Sequence, residues 1–190
     1  MDKKQIAVFA SGEGSNAANI IAYFKNSPTA EVGLLVCNNQ RAKVLEKADQ
    51  YKIPVLILAN KNDYSSVDFF HELESKSISL IVLAGFMWLL PEKLISKFEN
   101  NILNIHPALL PDFGGKGMFG MNVHKAVIAS GCKWSGITIH QVNREYDRGK
   151  IIFQKKIEIP TRCTPDELCL KIKKLEHDCY PKVIEEFILN

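Results

Sequence analysis

The sequence is short of cysteine, of long apolar runs and of charge of one sign. Its five cysteines are an odd number at scattered spacings without a Cys-x-x-Cys pair, so neither a disulfide framework nor a zinc site is indicated. The longest apolar stretch, residues 80–90, falls short of the ~18–20 residues that a membrane span needs. A formal net charge of +3 is spread along the chain and forms no nucleic-acid-binding patch. We therefore expect no metal, nucleic-acid or membrane partner.

The chain has the length and composition of one compact domain. Hydrophobic residues make up 46% and charged residues 24% of the 190 residues, which is ordinary for a globular protein and excludes a disordered or collagen-like chain. Residues 1–5 lead directly into a strand pattern that is too short for a signal-peptide core. We therefore expect a cytoplasmic protein.

Apolar runs typical of strands alternate with segments of helical period over the first two-thirds of the chain. This alternation predicts consecutive βαβ units and a single α/β domain with a Rossmann-like, open and mostly parallel sheet that has helices on both faces. The expected strands are residues 6–10, 32–37, 55–58, 80–84 and 102–105. The expected helices begin near residue 15 and cover residues 42–51, 65–75 and 91–98.

The last third of the chain has a different character. Residues 107–120 contain proline and glycine with few periodic apolar positions, which indicates a long loop. A helix is expected near residues 122–130, followed by an antiparallel strand pair at 136–142 and 151–159. Thr164, Pro165 and Glu167 form the signature of a capped helix start, and Pro181 is expected to kink the long helix that follows.

Gly12 and Gly14 lie in the turn between the first strand and the first helix, residues 11–16. Such turns bring backbone N–H groups close to a ligand at a helix N-terminus, which suits a phosphate. The turn lacks the third glycine of a dinucleotide fingerprint, and Asn38 and Asn39 stand where a ribose-binding acidic residue would follow. The turn therefore predicts a site for a phosphomonoester, with a purely structural glycine turn as the alternative.

Asn104 and His106 stand at the carboxyl end of a predicted central strand. Alternate residues of a strand point to the same side, so the amide and the imidazole can converge on one atom. Ligands of open α/β sheets bind outside these strand ends. We therefore expect a functional site here, with a histidine that only bonds a loop carbonyl as the alternative. Three other histidines have no comparable polar partner nearby in the sequence and are expected to be surface or packing residues: His71, His124 and His140.

Asp147 lies in the connection between the last two strands, residues 143–149, and its Asp-x-Gly ending is itself a turn signal. The functional alternative places its carboxylate within ~4–6 Å of His106, where it would raise the imidazole pKa and keep the ring charged near neutral pH. On the last helix, Lys173 and Glu176 share a face, either as a surface ion pair or as groups that reach into one cleft.

Five motifs together resemble the glycinamide ribonucleotide formyltransferase family, in its order and approximate spacing and over nearly the whole chain. They are GEGSN at 12–16, LAGFM at 83–87, LNIHPALLP at 103–111, DRG at 147–149 and EHDCYP at 176–181. The resemblance implies a folate-dependent enzyme of one-carbon metabolism and purine biosynthesis. It implies one formyltransferase domain over residues 1–190, with a phosphate-binding half, about 1–100, and a folate and catalytic half, about 101–190.

The same resemblance implies roles for particular residues. The catalytic residues would be Asn104, His106 and Asp147. The substrate-binding residues would be Gly12, Gly14, Ser15, Asn16 and Glu176. The residues that contact the folate would be Met87, Trp88, Leu89, Leu90, Asn104, Tyr146 and Asp147.

The implied reaction moves a formyl group from the co-substrate 10-formyltetrahydrofolate to the primary amine of glycinamide ribonucleotide. Both reacting groups belong to small-molecule substrates, so the enzyme needs no nucleophile of its own and no metal. Asn104 and the imidazolium of His106 would stabilise the oxyanion, while Asp147 would hold that charge and order a water that relays the proton. The assembly is expected to be a monomer or a homodimer.

Three alternatives remain at this stage. A formyltetrahydrofolate deformylase passes the formyl group to water but usually has an additional N-terminal domain, whereas the first strand is expected at residue 6. A methionyl-tRNA formyltransferase adds a C-terminal domain, and none is expected after the last helix. A non-catalytic nucleotide-binding module of Rossmann type needs only the glycine turn, and it gives Asn104, His106 and Asp147 no shared purpose.

Overall fold

The computed structural model describes residues 3–190, apart from the side chain of Ser65. Strands and helices alternate along the chain. They are β1 (Lys4–Ala10), α1 (Ser15–Phe24), β2 (Ala30–Cys37), α2 (Val44–Gln50), β3 (Val55–Ile57), a 3₁₀ helix (Lys61–Ser65), α3 (Val67–Ser75), β4 (Ile78–Leu83), α4 (Glu92–Lys97), β5 (Ile102–His106), α5 (Met121–Ala129), β6 (Trp134–Gln141), β7 (Ile151–Glu158) and α6 (Pro165–Leu189).

The seven strands form one sheet in the order β3-β2-β1-β4-β5-β6-β7. The five strands β1 to β5 are parallel, while β6 is antiparallel to both β5 and β7. The predicted mostly parallel sheet with an antiparallel C-terminal pair is therefore confirmed. The division into a phosphate-binding half and a catalytic half stays a prediction.

Helices cover both faces of this sheet, because the inner strands are apolar on both sides. In β1, Ile6 and Val8 face a core that α1, α2, α5 and α6 cover, while Ala7 and Phe9 face a second core under α3 and α4. This alternation follows from the two-residue period of a strand.

The start of α3 differs from its expected position. The chain forms a separate 3₁₀ turn at Lys61–Ser65, and α3 begins only at Val67 because the Ser66 hydroxyl accepts a hydrogen bond from the Phe69 N–H. By contrast, α6 has the predicted Thr164 and Glu167 capping box and continues past Pro181. The predicted kink at that proline stays a prediction. In the described part of the chain, no helix has the length and apolar character to cross a membrane.

The carboxyl ends of β1, β4 and β5 lie side by side at one edge of the sheet. Phe9 pairs with Leu83, and Leu83 pairs with Asn104, so the three segments that follow these strands line the same crevice. Residues 142–149 connect β6 to β7, and the ends of this connection approach so closely that a Cβ on Gly149 would lie 1.6 Å from the Gln141 carbonyl oxygen. Residues of this connection, among them Tyr146 and Asp147, line the same crevice.

Candidate active site

Asn104, His106 and Asp147 meet in one cavity of about 750 Å³ at the carboxyl edge of the parallel strands. Asn104 Nδ2 lies 3.5 Å from Asp147 Oδ1, and His106 Nδ1 lies 3.6 Å from Asp147 Oδ2. The expectation that Asn104 and His106 share one side of the strand agrees with this geometry. An amide, an imidazole and a carboxylate therefore surround one small volume, whereas their chemical roles stay predictions.

The loop after β5 also contacts this cluster. The Phe113 carbonyl lies 2.8 Å from His106 Nε2, and the Gly115 N–H donates to Asp147 Oδ2 at 2.9 Å. Because a carbonyl oxygen only accepts hydrogen bonds, Nε2 of His106 carries a hydrogen. A Cβ on Gly114 would meet Asp147 at 3.2 Å and Leu110 at 2.5 Å, so glycine is the residue that fits this close approach.

The charge of His106 differs from the expectation. The ring is 3% exposed, and burial lowers its pKa below the ordinary value although Asp147 and the Phe113 carbonyl act in the opposite direction. The expectation of a ring kept charged near neutral pH is therefore wrong for the protein without substrate. Asp147 lies 3.6 Å from Nδ1 and acts in the expected direction, but the loss of hydration on burial lowers the pKa by more.

Asp147 remains the anion of the cluster. Burial raises the pKa of its carboxyl, but its polar neighbours, His140, the Gly115 N–H and His106, lower the pKa by more. The backbone of Asp147 has φ 55, a left-handed conformation that aspartate tolerates better than most residues. The turn character predicted for this residue and its place in the cluster are therefore both present.

His140 belongs to the cluster although the sequence interpretation expected a surface or packing residue. It pairs directly with Asn104 across β5 and β6, and its Nε2 lies 3.1 Å from Asn104 Nδ2 and 3.6 Å from Asp147 Oδ1. Only the register between these two strands places it there, and the single sequence carries no signal for that register. His124 is a buried packing residue of α5, as expected, and it also lines the cavity.

The glycine turn forms the opposite end of the same cavity. Gly14 is the N-cap of α1 with φ 67, and no side chain caps the first N–H groups of that helix. A Cβ on Gly14 would lie 2.3 Å from Val44, so only glycine fits between the turn and α2. Lys173 lines this end and has no carboxylate within 4 Å among residues 3–190. Uncapped N–H groups beside a free ammonium suit an anion.

Glu176 reaches into the cavity from α6 and is 8% exposed. Asn16 Nδ2 donates to its Oε2 at 2.8 Å. Burial raises the pKa of Glu176 to about 7, against smaller lowering effects from Asn16 and Lys173. Of the two alternatives for Lys173 and Glu176, the structure shows two groups that line one cleft.

Part of the cavity wall is apolar. All the residues predicted to contact a folate line the cavity, and several are large apolar side chains that are half exposed. Exposed apolar groups around a cavity mark a place where a ligand with an aromatic body binds. The wall contains Met87, Trp88, Leu89, Leu90, Phe119 and Tyr146. Within residues 3–190, no group of three or more His, Cys, Asp or Glu side chains is arranged to hold a metal ion.

The fold and cavity define a Rossmann-like α/β protein with a glycine turn at one end of its ligand cavity and an amide, imidazole and carboxylate cluster in the middle. Over residues 4–184 the sequence matches the family described as formyl transferase. The chain belongs to this formyl transferase family, and the predicted family resemblance is confirmed.

Named relatives agree with this assignment. The chain is 38% identical to the phosphoribosylglycinamide formyltransferase of Bacillus subtilis (strain 168), over 97% of this chain and 95% of that protein. It is 41% identical to the chloroplastic phosphoribosylglycinamide formyltransferase of Vigna unguiculata, of which it spans 60% of the length. The crystal structure of glycinamide ribonucleotide transformylase 1 from Geobacillus kaustophilus superposes on this chain with a TM-score of 0.88 and 34% identity, and the match covers 98% of this chain and 100% of that one.

Proposed function

We propose that the protein transfers a formyl group from 10-formyltetrahydrofolate to the amine of glycinamide ribonucleotide, in purine biosynthesis. The observation that carries this proposal is the gathering of Asn104, His106 and Asp147 in a cavity that also contains the glycine turn. Relatives named as phosphoribosylglycinamide formyltransferases support the choice of substrates.

The ribonucleotide phosphate binds at the N-terminus of α1. Backbone N–H groups of the turn, including those of Ser15 and Asn16, donate to the phosphate oxygens, and the Lys173 ammonium adds a charge. Gly12 and Gly14 let the backbone approach the ligand closely. Glu176 holds the glycinamide part of the substrate, between this turn and the polar cluster.

The formyl-folate supplies an electrophilic carbon, and its pterin lies against the apolar wall. Trp88 and Leu90 are the less exposed members of this wall, while Met87, Leu89 and Tyr146 form its rim. Apolar contact with an aromatic ring system would keep water from the reacting carbon. Asn104 and Asp147 would contact the folate where its formyl group joins the part bound by the apolar wall.

The polar cluster stabilises the charge that develops when the amine attacks. The Asn104 amide donates an N–H to the formyl oxygen as this oxygen becomes negative. Nδ1 is the nitrogen of His106 that has no hydrogen, and a nearby oxyanion favours its protonation despite the low pKa of the free ring. Asp147 faces that nitrogen, stabilises the imidazolium and orders the water that carries the proton from the amine to the leaving nitrogen.

The protein needs no nucleophilic side chain in this reaction, because alignment of two bound substrates and oxyanion stabilisation supply the rate enhancement. The five cysteines are all unpaired thiols, which agrees with our proposal of a reducing compartment such as the cytoplasm.

Formate release and folate turnover, measured with and without glycinamide ribonucleotide, test this function. We expect loss of the formyl group only when the ribonucleotide is present, with stoichiometric formyl amide as product. Formate release without the acceptor would instead identify a deformylase. Binding of the ribonucleotide without any reaction would identify a nucleotide-binding module. Glycinamide without its ribose phosphate is the matched control, and we expect it to be a poor acceptor because it lacks the phosphate.

A further inference from the structure

His140 is a buried histidine beside the cluster to which the family resemblance gave no role. It is only 2% exposed. Its Nδ1 lies 2.9 Å from the carbonyl oxygen of Gln141, and its Nε2 lies 3.1 Å from Nδ2 of Asn104. Both ring nitrogens therefore have a polar neighbour, and each neighbour restricts which nitrogen holds a hydrogen.

The Gln141 carbonyl determines the tautomer of His140. A carbonyl oxygen only accepts, so Nδ1 carries the hydrogen, and in the neutral ring Nε2 is then a bare acceptor. A bare nitrogen requires a donor opposite it, which is the NH₂ group of Asn104 rather than its oxygen. Asp147 Oδ1 lies 3.6 Å from Nε2, farther than Asn104 Nδ2 at 3.1 Å, so the amide is the nearer partner of this nitrogen.

The amide of Asn104 is thereby held in one of its two possible orientations. One N–H bonds to His140, and the other is left with Asp147 Oδ1 at 3.5 Å. A contact this long is weak, so the second N–H can exchange it for a stronger, charge-assisted bond to an oxyanion. If the amide turned over, its oxygen would face the substrate oxyanion and repel it.

We propose that His140 is a positioning residue that fixes the Asn104 amide with its second N–H available to the formyl oxygen. The chain of contacts runs from the Gln141 carbonyl through the His140 ring to the amide. This inference rests on the proposed formyl transfer for its catalytic consequence, but the tautomer and the amide orientation are properties of the protein alone.

Two substitutions separate this role from a purely structural one. In His140→Gln, the side-chain oxygen occupies the place of Nε2 and still accepts from Asn104, whereas His140→Asn retains only a donor for the Gln141 carbonyl. We expect kcat to fall about tenfold or more in His140→Asn and to recover in large part in His140→Gln, with KM for both substrates nearly unchanged. Equal losses in the two variants, or losses confined to KM, would overturn the proposal.

A double substitution tests whether His140 acts through Asn104. In an Asn104→Ala background the amide is absent, so we expect His140→Asn to cause no further loss of kcat. Independent, multiplicative losses would show that the ring acts by another route. Thermal unfolding of each variant identifies any that fail to fold, and His71→Asn, at an exposed position of α3, is the matched control.

Nitrogen NMR of the substrate-free protein tests the inference without any assay of activity. We expect a His140 ring with hydrogen on Nδ1 and a bare Nε2, and a shift of the Asn104 side-chain amide signals in His140→Asn but not in His71→Asn. A ring protonated on Nε2 would overturn the inference, even if formyl transfer were observed. If the protein showed the expected His140 tautomer but no formyl transfer, only the proposed function would be overturned.

Discussion

Asn16 and Glu176 are joined by a hydrogen bond of 2.8 Å although 160 positions separate them in the chain. The bond connects the glycine turn at the start of α1 to the middle of α6, where Glu176 is only 8% exposed. One amide donor does not compensate for this burial, so the pKa of Glu176 rises to about 7. The cavity thus contains a carboxyl group that changes charge near neutral pH.

We predict that Glu176→Gln stabilises the protein at alkaline pH. The carboxyl has a pKa of about 7 when folded and 4.5 as the reference value, so its favourable contribution is complete below pH 4.5 and is lost as pH rises through 7. At pH 8 the variant should therefore be more stable by about 1–3 kcal/mol, whereas at pH 4.5 the two proteins should be equal. Urea unfolding at both pH values measures the difference.

The exposed Glu186 of the same helix supplies the control for that experiment, because Glu186→Gln removes a charge that is exposed to solvent rather than buried. We expect little change in the pH dependence of its unfolding. If Glu176→Gln showed the same small change, the carboxyl of Glu176 would be ionised without cost and its burial would have no effect on stability.

Asn104→Ala should lower kcat by about 10²–10³, equivalent to about 3–4 kcal/mol, because an oxyanion donor is removed. Binding of the ribonucleotide should be largely retained, since the proposed phosphate contacts come from the uncapped start of α1 and not from Asn104. Steady-state kinetics and calorimetry measure the two effects. The exposed Asn101→Ala is the control, and near-normal turnover in Asn104→Ala would reject the role of the amide.

Asp147→Asn should lower the pKa of His106 further, since the carboxylate is the main influence that opposes the effect of burial on this ring. The His106 resonance in a proton NMR titration should then move to lower pH, while the exposed His71 resonance stays unchanged. Turnover should fall together with the pKa. An unchanged His106 pKa would show that the two groups do not interact despite the 3.6 Å between them.

Gly149→Ala should destabilise the protein by about 3 kcal/mol or more, because the new Cβ would lie 1.6 Å from the Gln141 carbonyl oxygen. Gly131→Ala is a useful comparison, since Gly131 has φ 70 but open space around it and should cost only about 1 kcal/mol. Thermal unfolding of both variants distinguishes overcrowding from backbone strain. Equal costs would contradict the close approach of Gly149 to the Gln141 carbonyl.

Much of the fold could be predicted from the sequence because strands, helices and caps depend on residues close in the chain. The alternation in β1 assigns Ile6 and Phe9 to opposite faces, and the capping box at Thr164 marks the start of α6. The pair Asn104 and His106 could also be predicted as functional from the sequence, since two polar residues at the end of an apolar strand form a local pattern.

The rest of the site depends on distances between remote segments. The charge of His106 was predicted wrongly because burial is set by the whole fold, and its effect exceeds that of the neighbouring carboxylate. The place of His140 depends on the register of β5 with β6, which no local pattern encodes. The path of residues 142–149 likewise decides that Asp147 meets the strand end rather than remaining a surface turn.

The sequence by itself determined the order of the elements, the parallel sheet with its antiparallel end and the residues that could carry chemistry, because each of these follows from side-chain period and local backbone preference. Tertiary structure alone decided which of these residues touch, how deeply each is buried and which are charged. These properties depend on the protein interior's poor solvation of charge and on contacts between segments far apart in the chain, and neither is written in any short stretch of residues.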